Sequence, residues 1–400
     1  MKIKIPKDVE EIIDNIYIYG FEAYIVGGCV RDSIIGQKPN DYDITTSAKP
    51  NEIMDIFKNE KIIETGIKHG TITLIKNHEE YEITTYRIDG EYKDNRRPEE
   101  VEFTKNIIED LKRRDFTINA IAYNEKMGVV DEFRGIDDIK SKIIKTVGNS
   151  DERFNEDALR IIRAVRFSCK LDFSIEEQTL KSIYKNINLI KNVSAERIQE
   201  EFNKILISNN VEKIYILYDA GMFKVLGINN IKIEKDELIK INKSKKELVI
   251  RLAEFIYTMG NVSEGEKLIE KLKYSNKIKQ QCKNILNFID KSISLDKICI
   301  KKYLNKLGKE NLINILYIKK IIMNDFTNSM YIEFLELINE IETKEECYSI
   351  DKLAIDGNDL KALGYTGKDI GEKLNQLLEV VIKNPEMNNN LKLIEIIKNA

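Results

Sequence analysis

Hydrophobic residues follow two different patterns along the chain, and the change comes near residue 148. Before it, short apolar and β-branched runs predict strands, and amphipathic stretches between them predict helices. The predicted strands are 22–26, 42–45, 71–75, 81–86 and 128–133, and the predicted helices are 7–19, 30–35 and 51–58. From Asp151 onward apolar residues recur with helical periodicity. The predicted fold class is therefore α+β, a small mixed sheet with helices, followed by an all-α remainder.

The composition limits the class of protein. Four hundred residues suggest about two to four domains. A net charge of −3 excludes a uniformly basic nucleic-acid coat protein, so a nucleic-acid partner would need local basic patches. Five scattered cysteines argue against a disulfide framework or a zinc site and favour a reducing compartment. Because there is no signal segment and no apolar run of about 18 residues, we expect a soluble, cytoplasmic protein without a membrane partner.

Histidine is scarce. The chain contains only His69 and His78, and both lie in predicted turns, so neither is assigned a catalytic role. A mechanism that needs a histidine cluster in the C-terminal half, such as that of a metal-dependent phosphohydrolase domain, is excluded.

The segment 25–45, IVGGCVRDSIIGQKPNDYDIT, carries the first candidate chemistry. Gly27 and Gly28 could let the backbone approach a phosphate, with Arg31 on the short helix that follows. Asp41 and Asp43 would share one face of a strand, and two carboxylates suit Mg²⁺ bound together with substrate phosphates. Each of these two motifs also occurs in other settings. Gly-Gly pairs are common in plain turns, and Asp-x-Asp is found in turns, at solvated strand ends and in some glycosyltransferases. Their order and spacing favour metal-dependent chemistry on a nucleoside triphosphate.

A third carboxylate is predicted on a hairpin formed by 71–75 and 81–86 around the turn 76–80. Two-metal phosphoryl transfer commonly uses a further acidic ligand on a neighbouring strand. Glu82 is the candidate, because an acidic residue among β-branched neighbours in mid-strand is unusual. The alternative is a solvent-facing side chain on an edge strand.

Two polar segments follow the hairpin. Residues 87–103 form a long loop with Gly90 and Pro98, and such a loop in a compact domain is expected to be mobile or functional. Further along, Arg114 could contact a triphosphate and Asp115 could accept a hydrogen bond from a ribose hydroxyl. Considered alone, the segment RRD (113–115) is more typical of a surface charge cluster.

A helix predicted over 153–171 carries candidate groups for base recognition. Steps of three residues would keep Asp157, Arg160 and Arg163 on one helix face, while Arg166 is rotated further and would contact phosphate. A carboxylate can accept from the exocyclic amine of cytosine or adenine while a guanidinium donates to the adjacent ring nitrogen. Uracil and guanine instead present a carbonyl oxygen beside a ring N–H. The Asp157–Arg160 pair would therefore admit CTP and ATP and reject UTP and GTP. The alternative is an ordinary helical salt bridge.

Taken together, the motifs resemble those of class II tRNA nucleotidyltransferases, the bacterial CCA-adding enzymes and their poly(A) polymerase relatives. The motifs run in family order across residues 21–206: GGCVRD…DYDIT, YEITTYR, RRDFTINA, EDALRIIRAVRF and SAERIQEEF. Residues 355–390 are more weakly similar to the family's C-terminal region, with Thr366-Gly367 where members often have Pro-Gly. The resemblance implies template-independent addition of C, C and A to the tRNA 3′ end from CTP and ATP.

The resemblance also implies roles for individual residues. Asp41 and Asp43 would bind two Mg²⁺ ions, and Glu82 would complete the catalytic carboxylates. Contacts to the triphosphate would come from Gly28, Arg31 and Arg114. Asp157 and Arg160 would select the base, with Arg163 and Arg166 as further nucleotide contacts.

The implied architecture is a head, neck, body and tail. The predicted boundaries are a catalytic head at 1–148, a base-recognition neck at 149–210, a helical body at 211–300 and a tRNA-binding tail at 301–400. Lysine-rich patches at 243–246 and 301–309 are expected to contact tRNA phosphates. No protein partner is implied.

Alternative functions remain open at this stage. They are addition of A alone, a poly(A) polymerase and, from a different class, a non-catalytic tRNA-binding protein. An enzyme that adds only CC is disfavoured, because the family's CC-only members lack the mobile head loop that 87–103 resembles here. The long helical extension disfavours a nucleotidyltransferase that acts on a small metabolite.

Overall fold

The computed structural model describes residues 2–64, 66–90 and 101–399, and they form two compact units. The first unit extends to Asn230 and includes Lys271–Lys273. The second comprises Ile231–Glu270 and the chain from Tyr274 onward. The head, neck, body and tail boundaries at 148, 210 and 300 stay predictions.

All strands of the described residues lie in the first unit. They are β1 (Ala23–Val26), β2 (Ile44–Thr46), β3 (Lys61–Ile63), β4 (Thr71–Lys76), β5 (Glu79–Thr85), β6 (Arg87–Asp89), β7 (Val101–Phe103), β8 (Ala122–Asn124), β9 (Gly128–Val130), β10 (Ile143–Ile144) and β11 (Ser174–Ile175). The main sheet has the order β3-β4-β5-β2-β1-β8-β9, in which β2 and β5 run parallel and the other neighbours run antiparallel. This mixed sheet confirms the predicted fold class for the first part of the chain.

Helices make up most of the rest. Those of the first unit are α1 (Lys7–Ile18), α2 (Gly28–Ile35), α3 (Pro50–Ile56), α4 (Ile107–Lys112), α5 (Gly135–Lys140), α6 (Ser150–Glu156), α7 (Leu159–Leu171), α8 (Glu177–Asn186), α9 (Ala195–Leu206), α10 (Tyr215–Asp219) and α11 (Met222–Val225). The remaining helices are α12 (Lys235–Ile241), α13 (Leu248–Thr258), α14 (Val262–Lys271), α15 (Asn276–Phe288), α16 (Lys297–Leu307), α17 (Lys309–Ile322), α18 (Asn328–Thr343), α19 (Gly357–Ala362), α20 (Lys368–Lys383) and α21 (Asn390–Lys398). In the described part of the chain, every helix is too short or too polar to cross a membrane.

The β4–β5 hairpin is tighter than its sequence suggests. Asn77 and His78 both adopt positive φ angles, 51° and 67°, and the ladder continues to the pair Lys76–Glu79. Two left-handed residues in succession form the kind of turn that matches the twist of antiparallel strands. The hairpin is therefore confirmed, but its turn has two residues rather than the five predicted at 76–80.

The central strand β2 begins later than predicted, at Ile44 rather than Tyr42. Its three residues are buried between β1 and β5. The carbonyl oxygen of Asp43 still accepts a hydrogen bond from the Val26 N–H at 3.0 Å. The Asp-x-Asp segment therefore enters the middle of the sheet without being part of the regular strand. The strand predicted at 128–133 is also shorter than predicted, because it ends at Val130.

The continuous helix predicted over 153–171 is wrong. Helix α6 ends at Glu156, Asp157 has extended backbone angles (φ −139°, ψ 103°), and α7 begins at Leu159. The Asp157 carboxylate accepts a hydrogen bond from the Leu159 N–H at 3.1 Å. An aspartate that bonds to nearby backbone in this way competes with helix formation. Asp157 therefore does not share a helix face with Arg160 and Arg163, which lie on α7.

The loop predicted at 87–103 is described only at its ends. β6 and β7 pair antiparallel, with Arg87 opposite Phe103. Residues 91–100 lie outside the described residues, so the expectation of a mobile or functional loop there stays a prediction.

Candidate active site

Three carboxylates come together where β2 lies beside β5. Ile44 of β2 is paired with Ile83 of β5 in parallel register, so Asp43 and Glu82 each precede a paired residue. The side chains of Asp41, Asp43 and Glu82 are all exposed. The pKa of Asp43 is nevertheless raised to about 6, because nearby protein displaces water from around the carboxylate and because Asp41 and Glu82 are negatively charged. The positive charge of Arg114 acts in the opposite direction. The structure thus brings together the three acidic residues that the sequence singled out.

The chemistry of these donors fits Mg²⁺. Within residues 2–64, 66–90 and 101–399, no group of three or more His, Cys, Asp and Glu side chains is arranged to hold a metal ion by itself. Mg²⁺ does not need such a cage, because it usually binds one or two carboxylates and keeps water and substrate phosphates as its other ligands. A cation here would also lower the raised pKa of Asp43, because it would offset the negative charges of Asp41 and Glu82 that add to the larger effect of burial.

Gly27 lies at the N-terminal end of α2 in a conformation suited to glycine, with φ 79° and ψ −124°. Its N–H donates to the Ile121 carbonyl at 3.1 Å. A Cβ atom added at Gly27 would lie 3.1 Å from Nη1 of Arg114, whereas one added at Gly28 would meet only Nη2 of Arg31 at 3.7 Å. The glycine turn therefore lets Arg114 approach the start of α2.

The two arginines predicted to contact the triphosphate differ in what they already bind. Arg31 is 3 % exposed and donates from Nε to Asp32 at 2.7 Å and from Nη1 to Asn119 at 2.6 Å. Arg114 donates from Nη2 to Asp110 at 3.3 Å, while its Nε is buried and has no hydrogen-bond partner among the described residues. Arg114 is therefore the better placed of the two to donate to an anion beside Asp43.

Asp115 is paired with Arg163 rather than lying in a surface cluster. Oδ2 accepts from Nε and Nη2 of Arg163 at 2.9 and 2.5 Å, and Oδ1 accepts from Nδ2 of Asn119 at 3.0 Å. Burial alone would raise the pKa of Asp115, but Arg163 and Asn119 hold it well below its usual range. Asp115 is therefore an ionised acceptor that links the head segment to α7.

Asp157 and Arg160, the predicted base-selecting pair, bind other partners. Asp157 accepts from Nη1 and Nη2 of Arg197 at 3.2 and 2.8 Å. Arg160 is 8 % exposed, and it donates to Glu156 at 2.5 Å and to the Arg113 carbonyl at 2.9 Å. The backbone N–H of Arg160 donates to the Asp157 carbonyl at 3.0 Å, which keeps the two residues adjacent despite the helix break.

Three arginines, Arg31 of α2 and Arg163 and Arg166 of α7, lie around the ring of Phe167. The Phe167 ring centroid lies 5.1 Å from the guanidinium of Arg31, 5.3 Å from that of Arg163 and 3.6 Å from that of Arg166. Arg166, which was expected to contact phosphate, lies 2.5 Å from Glu201 on α9. Guanidinium groups stacked on an aromatic face are well suited to a partly buried cationic cluster.

Sequence reasoning missed Phe167, Arg197 and Glu201. Arg197 and Glu201 are four residues apart in SAERIQEEF, so they share a face of α9. Each is opposite in charge to a partner earlier in the chain: Arg197 pairs with Asp157 at the helix break, and Glu201 pairs with Arg166 of α7. That charge spacing is the signal from which the pairing could have been inferred.

Comparison with known proteins identifies the family. The model described as "Poly A polymerase head domain" matches residues 23–145, that described as "Probable RNA and SrmB- binding site of polymerase A" matches 172–227, and a model of domain 2 of tRNA nucleotidyltransferases matches 245–397. A CCA-adding enzyme of Lactobacillus helveticus is 37 % identical over 368 residues, which cover 91 % of this chain and 89 % of that protein. Another, from Oceanobacillus iheyensis, is 41 % identical over 280 residues, 69 % of each chain.

Solved structures agree with this assignment. The crystal structure of the Bacillus stearothermophilus CCA-adding enzyme in complex with CTP has a TM-score of 0.84 and 28 % identity, and 98 % of each chain is covered. The Thermotoga maritima CCA-adding enzyme complexed with tRNA has a TM-score of 0.68 at 21 % identity, which is a likeness of fold. With the match to curated relatives along most of its length, the chain belongs to the tRNA nucleotidyltransferase and poly(A) polymerase family, as do the CCA-adding enzymes.

Proposed function

We propose that this protein is a CCA-adding tRNA nucleotidyltransferase, which adds C, C and A to the 3′ end of tRNA from CTP and ATP. The observation that carries the proposal is the convergence of Asp41, Asp43 and Glu82 beside Arg114, in a chain whose relatives are named CCA-adding enzymes. A dead relative that only binds tRNA would not need three carboxylates at this position. Its cytoplasmic location remains a prediction.

In each cycle the 3′-hydroxyl oxygen of tRNA forms a bond to the α-phosphorus of the nucleotide. The bond from that phosphorus to the bridging β-phosphate oxygen breaks, the hydroxyl proton is lost, and pyrophosphate leaves. Arg114, whose Nε has no partner among the described residues, would donate to the triphosphate near the start of α2. A positioned cationic donor of this kind stabilises the charge that develops on the transferred group.

Asp41 and Asp43 would hold the metal ions, with Glu82 as the third carboxylate of the site. Two Mg²⁺ ions, when bound, would favour ionisation of the attacking hydroxyl and neutralise the charge on the leaving pyrophosphate. The carboxylates themselves need only be ionised and adjacent. Binding of a cation would lower the raised pKa of Asp43 and so keep it ionised during turnover.

Selection of C and A is assigned to Asp157 and Arg160. The Asp157 carboxylate would accept from the exocyclic amine, and Arg160 would donate to the neighbouring ring nitrogen. In the structure these groups are bound to Arg197 and Glu156. When a base binds, Asp157 and Arg160 would therefore either exchange these ion pairs for hydrogen bonds to the base or bind the base while they keep their present partners.

One assay tests the function and separates it from the alternatives. The protein is incubated with Mg²⁺ and with tRNAs that end before CCA, after the first C, and after CC, each with a single labelled nucleoside triphosphate or with CTP and ATP together. We expect completion of each substrate to CCA and no further growth. Incorporation of A only into the tRNA that ends in CC would show an A-adding enzyme, long A tracts would show a poly(A) polymerase, and no incorporation would show a non-catalytic protein.

A further inference from the structure

A series of hydrogen-bonded polar side chains, which we call the polar chain, links α2 to α7 through Asn119. Arg31 of α2 donates from Nη1 to Oδ1 of Asn119 at 2.6 Å, and Nδ2 of Asn119 donates to Oδ1 of Asp115 at 3.0 Å. Oδ2 of Asp115 in turn accepts from Nε and Nη2 of Arg163 on α7 at 2.9 and 2.5 Å. The first of these contacts joins residues that are 88 positions apart in the sequence.

The two neighbours of Asn119 fix the orientation of its amide. A guanidinium can only donate hydrogen bonds and an ionised carboxylate can only accept them, so the amide oxygen faces Arg31 and the amide nitrogen faces Asp115. Asn119 is 6 % exposed and Arg31 is 3 % exposed. Burial of such groups is unfavourable unless their hydrogen bonds are formed. The amide therefore cannot rotate, or be replaced by an apolar group, without loss of a contact on each side.

The guanidinium of Arg31 has little capacity left for a phosphate. Nε donates to Oδ1 of Asp32 at 2.7 Å, and Nη2 lies 2.6 Å from the same oxygen. All three nitrogens thus have a partner within the protein, whereas Nε of Arg114 has no hydrogen-bond partner among the described residues. Arg114 therefore remains the candidate ligand of the triphosphate, and the contacts of Arg31 suit a different role.

The carboxylate of Asp115 is occupied in the same way. In addition to the bond from Asn119, Oδ1 accepts from the Phe116 N–H at 2.8 Å, while Oδ2 accepts both bonds from Arg163. A carboxylate offers about four lone-pair positions, and these bonds use all of them. Asp115 is therefore better suited to orient Arg163 than to accept a further hydrogen bond from a ribose hydroxyl.

Arg163, at the other end of the polar chain, has donors to spare. Its side chain is 30 % exposed, and Nη1 lies 3.9 Å from Glu201, which is too far for a hydrogen bond. Arg163 lies three residues after Arg160 on α7, so the two side chains are neighbours on the helix surface. Asp115 thus holds a guanidinium with free N–H groups beside a residue assigned to base selection.

We propose that Arg31 and Asn119 are positioning residues, which hold Asp115 and through it keep the guanidinium of Arg163 directed at the bound nucleotide. This inference rests on the proposed function, which supplies CTP and ATP as the ligands. Arg163 donates to the sugar–phosphate part that both nucleotides share, so the polar chain sets their affinity without selecting the base. Because Arg31 lies on the first turn of α2, the chain also ties Arg163 to the glycine turn beside Arg114.

The first test is a double-variant cycle on Asn119 and Arg163. Affinities for CTP and ATP are measured by calorimetric titration with Mg²⁺ and without tRNA, for wild type, Asn119→Ala, Arg163→Gln and the double variant. We expect each single variant to bind both nucleotides roughly tenfold more weakly. The double variant should bind them no more weakly than Arg163→Gln alone, because Asn119 acts through Arg163. Independent effects, which would multiply to a loss of roughly a hundredfold, would overturn the inference.

The control for this cycle is Asn375→Ala. Asn375 lies at an exposed position of α20, where its side chain donates to the Gly371 carbonyl at 2.7 Å. The variant therefore also loses an asparagine hydrogen bond, but outside the polar chain, and should bind CTP and ATP as wild type does. Thermal unfolding checks that each variant is folded.

The second test separates positioning from phosphate binding at Arg31. Lysine keeps the positive charge but lacks the planar guanidinium that bonds to Asp32 and Asn119 together. We therefore expect Arg31→Lys to weaken CTP binding about as much as Arg31→Gln does. Near-normal binding by Arg31→Lys with weak binding by Arg31→Gln would show a charge contact to phosphate and would overturn the inference. If the variants of this buried arginine do not fold, the cycle on Asn119 and Arg163 decides the question.

Turnover gives a third readout, which a merely structural role of Asn119 would not produce. In Asn119→Ala the KM for CTP and ATP should rise together while kcat stays near wild type, and the ratio of UMP to CMP incorporation should not change. Loss of base selectivity in this variant would place the polar chain in base recognition and contradict the inference. Failure of the proposed function would appear differently, as absence of nucleotide addition by the wild-type protein, and the titrations would still test the polar chain.

Discussion

Arg197 of α9 binds the carboxylate of Asp157 through two hydrogen bonds, at 3.2 and 2.8 Å, at the point where α6 and α7 separate. The contact joins the helix break to a helix forty residues further along the chain. It also holds the proposed base-selecting carboxylate in one position before any nucleotide is bound. A charged hydrogen-bonded pair of this kind orients a side chain more strongly than a neutral one.

Replacement of Asp157 by alanine should reduce discrimination between nucleotides. A well-placed hydrogen-bonding pair contributes about 1–3 kcal/mol to recognition of one base over another, so incorporation of UMP or GMP relative to CMP and AMP should rise by roughly 5- to 150-fold. Competition assays with all four labelled nucleoside triphosphates measure this ratio. The matched control is Asp55→Ala, at an exposed position of α3. Unchanged base selectivity in Asp157→Ala would reject the assignment.

Replacement of Asp41 or Asp43 by alanine should abolish nucleotide addition and leave tRNA affinity largely intact. Loss of a metal-binding carboxylate removes several kcal/mol of transition-state stabilisation, which corresponds to a fall in kcat of roughly a thousandfold or more. Single-turnover addition with saturating tRNA and Mg²⁺ is the measurement. Glu80→Ala, at an exposed position of β5, is the control and should retain activity. Near-normal turnover in either aspartate variant would disprove the metal assignment.

Glu254 should make the stability of the second unit depend on pH. Burial raises its pKa from 4.5 to about 8, and its Oε2 is buried without a hydrogen-bond partner among the described residues. The folded protein therefore keeps this proton at a pH where the unfolded chain has lost it. The stability that the group contributes is complete below about pH 4.5 and is lost as the pH rises towards 8, at up to about 1.4 kcal/mol per pH unit.

Glu254→Gln removes this titration while keeping the shape of the side chain. As the pH is raised from about 5 to 8, the free energy of unfolding of wild type should fall relative to that of the variant, so the variant becomes relatively more stable. Urea unfolding at several pH values gives this difference. Glu336→Gln, at an exposed position of α18, should show no such trend. A constant difference between Glu254→Gln and wild type across this range would contradict the prediction.

Two helical glycines should respond to alanine in opposite directions. A Cβ atom at Gly265 of α14 would lie 2.0 Å from Cγ2 of Ile256, whereas one at Gly371 of α20 would have nothing within 4 Å. Gly265→Ala should destabilise the protein by about 1–3 kcal/mol through overpacking. Gly371→Ala should stabilise it by about 0.5–1 kcal/mol, because alanine favours the helix more than glycine does. Urea unfolding of both variants measures these changes, and equal stabilisation by both would show that the packing at Gly265 can relax.

Much of the candidate site could be predicted from the sequence, because local periodicity and backbone conformation determine where several of its residues lie. Strand alternation placed Glu82 on a different face from Ile83, and the parallel pairing of β2 with β5 then brought it next to Asp43. The glycine turn at Gly27 was likewise visible, because positive φ favours glycine whatever the rest of the fold does.

The sequence by itself determined the fold class, the family and the identity of the candidate acidic residues, since these depend on short-range patterns and ordered motifs. Only the tertiary structure decided where charges were neutralised. It placed Arg197 against Asp157 and ended a helix that local propensity would have continued. It also paired Lys301 and Lys302 with distant acids while leaving Lys243 and Lys246 without such partners among the described residues. The physical reason is that an ion pair depends on distances between remote segments, and a linear pattern of charges does not contain those distances.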